Sequence, residues 1–482
     1  MQFSSVDRAQ LSLNGIDGAT GAFFQEPIDL TTLREVIRAE SPPRIDRLAG
    51  QIGRGERIGQ GLREGLDPRR LADAGWGVIF AANADADVAE ALEPLLRHRQ
   101  RQAGAHRAHR FRALSGRDGY RAGESKLRFL ARHGVGSGPV DPDQMPFYLL
   151  LVGDPEAIPY VFQYQLDVQY AVGRVCFDDV DDYARYAETV VATETARADR
   201  ARRRRRTTFF AVRNAGDAAT EMAHDLLVTP LAQRLAREVP RGRVDTVAAA
   251  SATRARLGGL LGGDETPDLL FTACHGLGFR QMRPEQRALQ GALVCQKPGE
   301  GARAPIFGAR DVDPNARLDG LIAFFFACFG AGTPQRNNFA HRGERATLSE
   351  ASFVARLPQA LLAHPKGGAL AVVGHVDRAW TFSFAWPQAG AQFEVFASTL
   401  KRLLSGHPVG SAMEFFNRRY AELECDLADL RQRLAWGAEP DLLEEVGLWT
   451  ARNDARNFMI VGDPAVRLGP LAAADDALNG AG

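Results

Sequence analysis

Short apolar runs recur along this chain from about residue 75 onward, and stretches with helical spacing separate them. "WGVIFAA", "YLLLV", "LLFTA", "LIAFFFA" and "ALAVVG" each have the length of a strand and contain no charged residue. A strand that is apolar throughout needs cover on both faces, which is typical of parallel sheets with helices on either side. The sequence therefore predicts an α/β fold with a mostly parallel sheet flanked by helices.

The pattern of the chain divides it into two α/β units with two flanking segments. Residues 1–70 are mixed and glycine-rich and form an N-terminal extension; their "GQIGRGERIGQG" follows no strand and does not fit a nucleotide-binding motif. Residues 71–200 predict a smaller α/β subdomain, and residues 206–470 predict a larger one. Residues 471–482 form a C-terminal tail.

The overall charge gives no indication of a nucleic-acid or membrane partner. The chain has 59 basic and 59 acidic residues and a formal net charge of zero. No apolar run approaches the roughly 20 residues of a membrane-spanning helix, and the N-terminal "MQFSSVDRAQ" does not resemble a signal peptide. The five cysteines show no disulfide framework or metal-ligand spacing. We expect a cytoplasmic protein with free thiols and no metal.

A block of five arginines, Arg202–Arg206, lies between the two units. Three interpretations are open: a solvated linker or helix end, a charged surface for a partner or nucleic acid, and a linker that is cleaved on activation. One short block without interleaved aromatic residues is weak evidence for nucleic-acid binding, so the linker is favoured.

Two predicted strands of the larger unit end in residues that can carry chemistry. "DLLFTACHG" ends at His275–Gly276, and "FFFACFGAG" contains Cys328. The carboxyl ends of parallel strands lie at one edge of a sheet, so the two side chains can meet there. Either residue alone would be read as an inert cysteine or a turn histidine. Together they predict a nucleophile and its proton-transfer partner.

These motifs resemble those of the caspase-like cysteine peptidases, the clan of caspases, legumain and the gingipains. His275 precedes Cys328 by about 50 residues, as in caspases, although Phe326 stands where caspases have glutamine. "YLLLVGDPEAIPY", "LDVQYAVGR" and the final "VGDP" are similar to the bacterial gingipain-like and CHAT-type branch. The resemblance spans roughly residues 75–470. It implies a smaller subdomain beside a caspase-like one, and peptide hydrolysis without a metal or organic cofactor.

The chemistry of these residues predicts their roles in acyl transfer. Cys328 attacks the scissile carbonyl, and His275 protonates the leaving amine and then assists water. The backbone N–H groups of Gly276 and Cys328 hold the oxyanion, while Gly330 and Gly332 permit the turn that exposes the cysteine. The remaining cysteines and two further histidines are expected to be structural: Cys176, Cys274, Cys295, Cys425, His341 and His375.

Three residues are candidates for the substrate pocket. Asp167 matches the position of the pocket acid in arginine-specific gingipains, and Asp377 with Trp380 could form an acid with an aromatic wall. The alternatives are a turn or helix-cap acid for Asp167 and an ion pair with Arg378 for Asp377.

The expected function is a cysteine endopeptidase that cleaves after Arg or Lys and acts on a protein or peptide substrate. The resemblance also suggests a partner protein in bacterial defence or signalling as the target. A separate regulatory protein or the N-terminal 70 residues would control it. The alternative is a catalytically degenerate binding or scaffold protein.

The pocket assignment predicts the cleavage preference. A buried carboxylate left unpaired by a neutral substrate costs about 1–3 kcal/mol, whereas a guanidinium pairs with it through two hydrogen bonds. We expect a fluorogenic peptide panel to show cleavage after Arg above Lys, and after both far above Asp, Ala or Leu. Asp167→Ala should lower arginine cleavage about tenfold or more. Unchanged arginine cleavage by this variant would remove Asp167 and leave Asp377.

Overall fold

A ten-stranded sheet forms the centre of the protein. The structure is a computed structural model, and it describes residues 10–11, 15–25, 28–30, 33–35, 61–196, 205–239, 242–299, 302–339, 346–386, 389–439 and 441–469. The strands of the central sheet, in chain order, are β1 (Trp76–Phe80), β2 (Phe111–Leu114), β3 (Tyr148–Val152), β4 (Ala171–Val175), β5 (Arg206–Ala211), β6 (Arg243–Ala248), β7 (Leu269–Ala273), β8 (Ile322–Phe326), β9 (Ala371–His375) and β10 (Phe458–Gly462).

The strands lie in the order β2-β1-β3-β4-β10-β9-β8-β7-β5-β6. Pairing is parallel from β2 to β4 and from β9 to β6, and β10 runs antiparallel to β9. The expected fold class, a mostly parallel sheet flanked by helices, is confirmed. Strands of both predicted units share this one sheet through the neighbours β4 and β10. The boundaries of the units stay predictions.

Helices cover the sheet, and their core-facing sides are apolar. They are α1 (Leu71–Ala74), α2 (Ala86–Ala91), α3 (Glu93–Ala103), α4 (Lys126–Arg132), α5 (Tyr160–Asp167), α6 (Val180–Thr195), α7 (Ala218–Met222), α8 (Thr229–Glu238), α9 (Arg254–Leu260), α10 (Gln286–Leu289), α11 (Arg356–Leu362), α12 (Glu394–Leu404), α13 (Val409–Ala412), α14 (Glu414–Ala435) and α15 (Leu442–Arg456), with a π-helical turn at Ala223–Val228 between α7 and α8.

The helical spacing of apolar residues in "DVAEALEPLLRHRQRQ" predicts one helix with Asp87 as its cap, but the structure has two helices here. They are α2 and α3, and Asp85 is the residue that caps α2, since its carboxylate accepts the N–H of Asp87. The side chain two residues ahead reaches the free N–H groups of the first turn, which a side chain inside the turn does not.

The strand that carries His275 is also divided. β7 ends at Ala273, and after Cys274 the chain leaves the central sheet as a second strand, His275–Gly278. This strand belongs to a four-stranded sheet with Gly15–Asp17, Leu293–Val294 and Ile306–Phe307. His275 therefore begins a new strand instead of ending the buried one.

Two arginines of the five-arginine block are part of the fold. Arg205 is buried and donates to the carbonyl of Leu404. Arg206 begins β5, and its guanidinium pairs with Asp245 at 3.0 Å. The solvated-linker interpretation is thus wrong for these two residues, and residues 202–204 lie outside the described part.

The cysteines carry free thiols, and Cys425 on α14 is exposed whereas the other four are buried. Within the described ranges, no helix combines the length and apolarity needed to cross a membrane. The same ranges contain no cluster of three His, Cys, Asp or Glu side chains that could hold a metal ion.

A buried carboxylate joins the first strand to the end of the last one. Asp463, in the turn after β10, accepts from Trp76 Nε1 at 2.9 Å and from Arg99 Nε at 2.7 Å. Arg99 also pairs with Glu194 on α6 at 2.8 Å. This network connects strands and helices that are far apart in sequence.

Removal of the Asp463 carboxylate should destabilise the whole sheet. Asp463→Ala leaves Arg99 buried with one carboxylate fewer, and breaking a buried pair in this way costs about 3–5 kcal/mol. Asp245→Ala, which removes a partly exposed pair at the sheet edge, is the control and should cost under about 1 kcal/mol. Urea denaturation of both variants measures the two losses, and equal losses would contradict this role of Asp463.

Candidate active site

The two strand ends that carry the predicted dyad lie side by side. Parallel β7 and β8 pair Ala273 with Phe326, so His275 and Cys328 each follow a paired residue by two positions. The backbones touch directly after this point, since a Cβ added to Gly276 would lie 1.8 Å from the carbonyl oxygen of Cys328. Only glycine fits there, and the predicted oxyanion residues Gly276 and Cys328 are therefore in contact.

His275 is held by an acid that the sequence reasoning missed. Its Nε2 lies 2.7 Å from Oδ2 of Asp217, and the ring is 1% exposed. Burial acts to raise the pKa of Asp217, but His275 and the Thr220 hydrogen bonds outweigh it, so this pKa lies below its usual value. An ionised carboxylate has no proton to give, so Nε2 of His275 carries the hydrogen.

The second ring nitrogen of His275 is left for chemistry. With Nε2 protonated, Nδ1 of a neutral imidazole is the basic nitrogen. In the described part of the chain, this buried Nδ1 has no hydrogen-bond partner. The geometry thus leaves one oriented, unoccupied proton acceptor at the edge of the sheet where Cys328 lies.

A sequence signal for Asp217 was present. "NAGDAAT" follows β5, the neighbour of β7, and places an aspartate ahead of helix α7, whose N-cap it forms by accepting from the N–H of Thr220. An N-cap aspartate has an ordinary structural explanation, and only the strand order brings this one to His275.

Cys328 is fully buried and its thiol is neutral in this structure. The N–H of Ala379 donates to Sγ at 3.2 Å. Burial raises the pKa of Cys328 to about 12, against the opposing effects of Ala379 and Arg378. The thiolate that attacks a carbonyl is therefore disfavoured while the site stays enclosed.

The turn after Cys328 is made differently from the prediction. Phe329 adopts the left-handed conformation with φ of 59°, whereas neither Gly330 nor Gly332 does. Gly332 is needed for space instead, because a Cβ there would lie 2.1 Å from the hydroxyl oxygen of Tyr160.

The residues after β9, here called the 377–380 loop, lie beside Cys328. Asp377 is buried and pairs with Arg378 at 2.9 Å. This ion pair is the alternative to a pocket role that the sequence left open for Asp377. Trp380 is buried as well, with its ring centroid 4.9 Å from that of Phe339. Both residues thus lie next to Cys328 through Ala379, but they are enclosed.

A second buried acid fixes the 377–380 loop and was also missed. Asp454 on α15 accepts from the N–H of Trp380 at 2.9 Å and from the hydroxyl of Ser383. Burial raises the pKa of Asp454 to about 6. His375 is a core residue whose Nδ1 lies 3.0 Å from the carbonyl oxygen of Arg378.

Asp167 is the last residue of α5, at the opposite end of the helix from Tyr160. At the start of this helix the hydroxyl of Tyr160 donates to the carbonyl of Phe353, and Asp167 follows roughly 10 Å farther along the helix axis. Burial raises the pKa of Asp167, against the charges of Arg174 and Lys126. Within the described residues, no hydrogen bond or ion pair connects Asp167 to His275 or Cys328, so its pocket role stays a prediction.

A cavity of about 350 Å³ lies between residues 282–287 and residues 349–353. Arginine and glutamate side chains are among its lining groups, and neither His275 nor Cys328 is. The lining residues are Met282, Arg283, Pro284, Gln286, Arg287, Ser349, Glu350, Ala351 and Phe353.

Comparison with known proteins finds no matching family model and no matching curated protein. Among solved structures, the chain is similar to the Arg-specific cysteine proteinase gingipain R, with 12% identity over 83% of this chain and 79% of that chain and a TM-score of 0.44. The complex of the pro- and mature domains of RgpB from Porphyromonas gingivalis matches with 13% identity, 83% and 80% coverage and a TM-score of 0.42. The Saccharomyces cerevisiae separase–securin complex matches with 9% identity, 66% and 16% coverage and a TM-score of 0.28. The first two are gingipains, the group whose motifs the sequence resembles; at these scores we draw nothing further from the likeness.

The contact between Gly276 and Cys328 predicts a strong and local effect of one methyl group. Gly276→Ala places a carbon against the Cys328 carbonyl, and overpacking of this kind costs about 1–3 kcal/mol. Gly136→Ala is the matched control, because no atom lies within 4 Å of the added carbon. Thermal unfolding should show a lowered midpoint for the first variant and an unchanged or slightly raised one for the second. Equal midpoints would contradict the close approach.

Proposed function

We propose that the protein is a cysteine endopeptidase with Cys328 as nucleophile and His275 as proton-transfer residue. The observation that carries the proposal is the state of His275, whose Nε2 is bound by Asp217 and whose Nδ1 has no partner in the described part of the chain. The contact of Gly276 with Cys328 brings this imidazole to the strand end of the thiol. A buried polar atom without a partner calls for an explanation, and proton transfer at Nδ1 supplies one.

The chemistry proceeds by acyl transfer through a thioester. The Cys328 thiol gives its proton to Nδ1 of His275 as sulfur attacks the scissile carbonyl carbon. The imidazolium then protonates the leaving amine. A water molecule gives its proton to the same nitrogen as it attacks the thioester carbon, and the Cys328 thiolate that leaves takes this proton back. The N–H groups of Gly276 and Cys328 stabilise the oxyanion of each tetrahedral intermediate. These steps need no cofactor.

Asp217 is a positioning residue in this scheme. It does not touch the reacting atoms, but its carboxylate fixes which nitrogen of His275 is basic and stabilises the imidazolium that forms. A carboxylate with a lowered pKa stays ionised over the range in which a histidine titrates.

The finer parts of the function follow from the sequence motifs. We propose cleavage after Arg, and more weakly after Lys, with Asp167 as the pocket acid, because Asp377 is already paired with Arg378. The substrate class is a protein or peptide, and a partner protein in bacterial defence or signalling, cut in the cytoplasm, is the proposed target. A regulatory protein partner would release the activity.

The proposal predicts which single substitutions stop cleavage. On the peptide that the panel identifies, Cys328→Ala and His275→Ala should abolish turnover, and Asp217→Asn should lower kcat about tenfold or more with little change in KM. Circular dichroism should show folded protein in each case. Cys274→Ser is the matched control, because Cys274 is the buried neighbour of His275 to which the proposal gives no chemical role, and this variant should keep most activity.

Three results would contradict the proposal. Turnover by Cys328→Ala would exclude the nucleophile, and equal losses from Cys274→Ser would show that the wrong neighbour was assigned. The absence of cleavage of any peptide, both by the full chain and by variants in which Cys328 reacts with iodoacetamide, would favour the degenerate binding or scaffold protein.

A further inference from the structure

Residues 15–25, here called the N-terminal segment, pair with the strand of the candidate active site. The strand Gly15–Asp17 runs parallel to His275–Gly278, and Gly15 is the partner of Gly276. The segment thereby adds a fourth strand directly beside the glycine that is proposed to bind the oxyanion. No other described strand pairs with this side of His275–Gly278.

Two aromatic residues of the segment cover the dyad region. The ring of Phe23 lies 5.8 Å from the imidazole of His275 in an edge-on contact. The ring of Phe24 lies 5.3 Å from that of Phe329, the residue after Cys328. The guanidinium of Arg378 lies over the ring of Phe24, 5.2 Å from its centroid. Aromatic rings therefore contact both the histidine and the turn that follows the cysteine.

Polar contacts anchor the segment at the surface end. The carboxylate of Asp17 accepts the N–H of Arg280 at 2.9 Å, and the Arg280 guanidinium donates to the carbonyls of Phe24 and Phe23. Arg303 donates to the carbonyl of Gly18 at 2.6 Å. These polar contacts join the segment to residues that flank the four-stranded sheet and not to a strand of the central sheet.

We infer that the N-terminal segment blocks the candidate active site, and that the His275–Cys328 pair becomes reachable when the segment leaves the edge of His275–Gly278. The inference rests on the proposed function. With the segment in place, His275 is 1% and Cys328 0% exposed, so a peptide carbonyl cannot approach the sulfur. The buried, neutral thiol agrees with an enclosed site.

Release would also create a binding edge. The backbone groups of Gly276–Gly278 that now pair with the segment would be free to pair with an extended peptide. A peptide bound there would lie beside both the oxyanion N–H groups and the imidazole. The N-terminal segment and an extended substrate would thus compete for the same strand edge.

Alkylation of Cys328 by iodoacetamide tests the inference independently of proteolysis. The full chain is compared with the Phe23→Ala/Phe24→Ala double variant and with Arg280→Ala, which removes the anchor from the exposed side. Peptide mapping by mass spectrometry follows each thiol. Exposed Cys425 is the reactive reference, and buried Cys274 and Cys295 report unfolding. Trp436→Ala, which removes a ring that is 77% exposed, is the matched control.

We expect Cys328 to react at least tenfold faster in the double variant and in Arg280→Ala than in the parent, with Cys274 and Cys295 still protected and no change in Trp436→Ala. An unchanged rate at Cys328 in both variants would overturn the inference. A double variant in which Cys274 and Cys295 also react is unfolded, and Arg280→Ala then decides.

Peptide cleavage by the same proteins separates this inference from the proposed function. Faster alkylation without any cleavage would support the blocking role of the segment and contradict the proposed peptidase activity. Cleavage by the parent at the same rate as by the two variants would support the peptidase activity and contradict the blocking role of the segment.

Discussion

The parallel register of β7 and β8 is the constraint on which the candidate site depends. Both strands are fully buried, and their paired residues Phe271 and Phe324 stack with ring centroids 5.1 Å apart. A slip by one residue would turn every side chain of a strand to the opposite face of the sheet. Because both faces are closely packed, the side chains would then no longer fit their neighbours. Because the register is fixed in the core, His275 and Cys328 leave the sheet at the same level.

Four neighbouring strands each contribute one element to the edge where the dyad lies. β5 leads to Asp217, β7 to His275, β8 to Cys328 and β9 to the 377–380 loop that touches the sulfur. This is the common position of sites in open α/β sheets, because loops at the carboxyl ends can vary while the strands below stay packed. The same enclosure that orients these groups also raises the pKa of the Cys328 thiol. The proposed role of Cys328 as nucleophile therefore depends on the proposed opening of this edge.

Apolar runs were enough to predict β1, β3, β7, β8 and β9, since burial on both faces leaves a composition that is visible in a single strand. The partly exposed β2 and the arginine-containing β4 have no such run and were not predicted as strands. The cap at Asp85, the division of the helix at Leu92 and the departure of the chain from the sheet after Ala273 were not predictable, because such features depend on one or two residues and on what lies next to them. The sequence also favoured glycine for the turn after Cys328, whereas the left-handed residue is Phe329. Packing on both sides of that turn decides which residue takes the unusual conformation.

The sequence by itself determined the α/β class and the two motifs that contain His275 and Cys328, because these features are written in contiguous residues. Only the tertiary structure decided their partners. Asp217 has an ordinary local explanation as an N-cap, and neither Asp454 nor residues 15–25 carry a local sign of their contacts at this site. Such contacts join residues that are far apart in the chain, and the order of strands in the sheet, which no local pattern encodes, sets which of them meet.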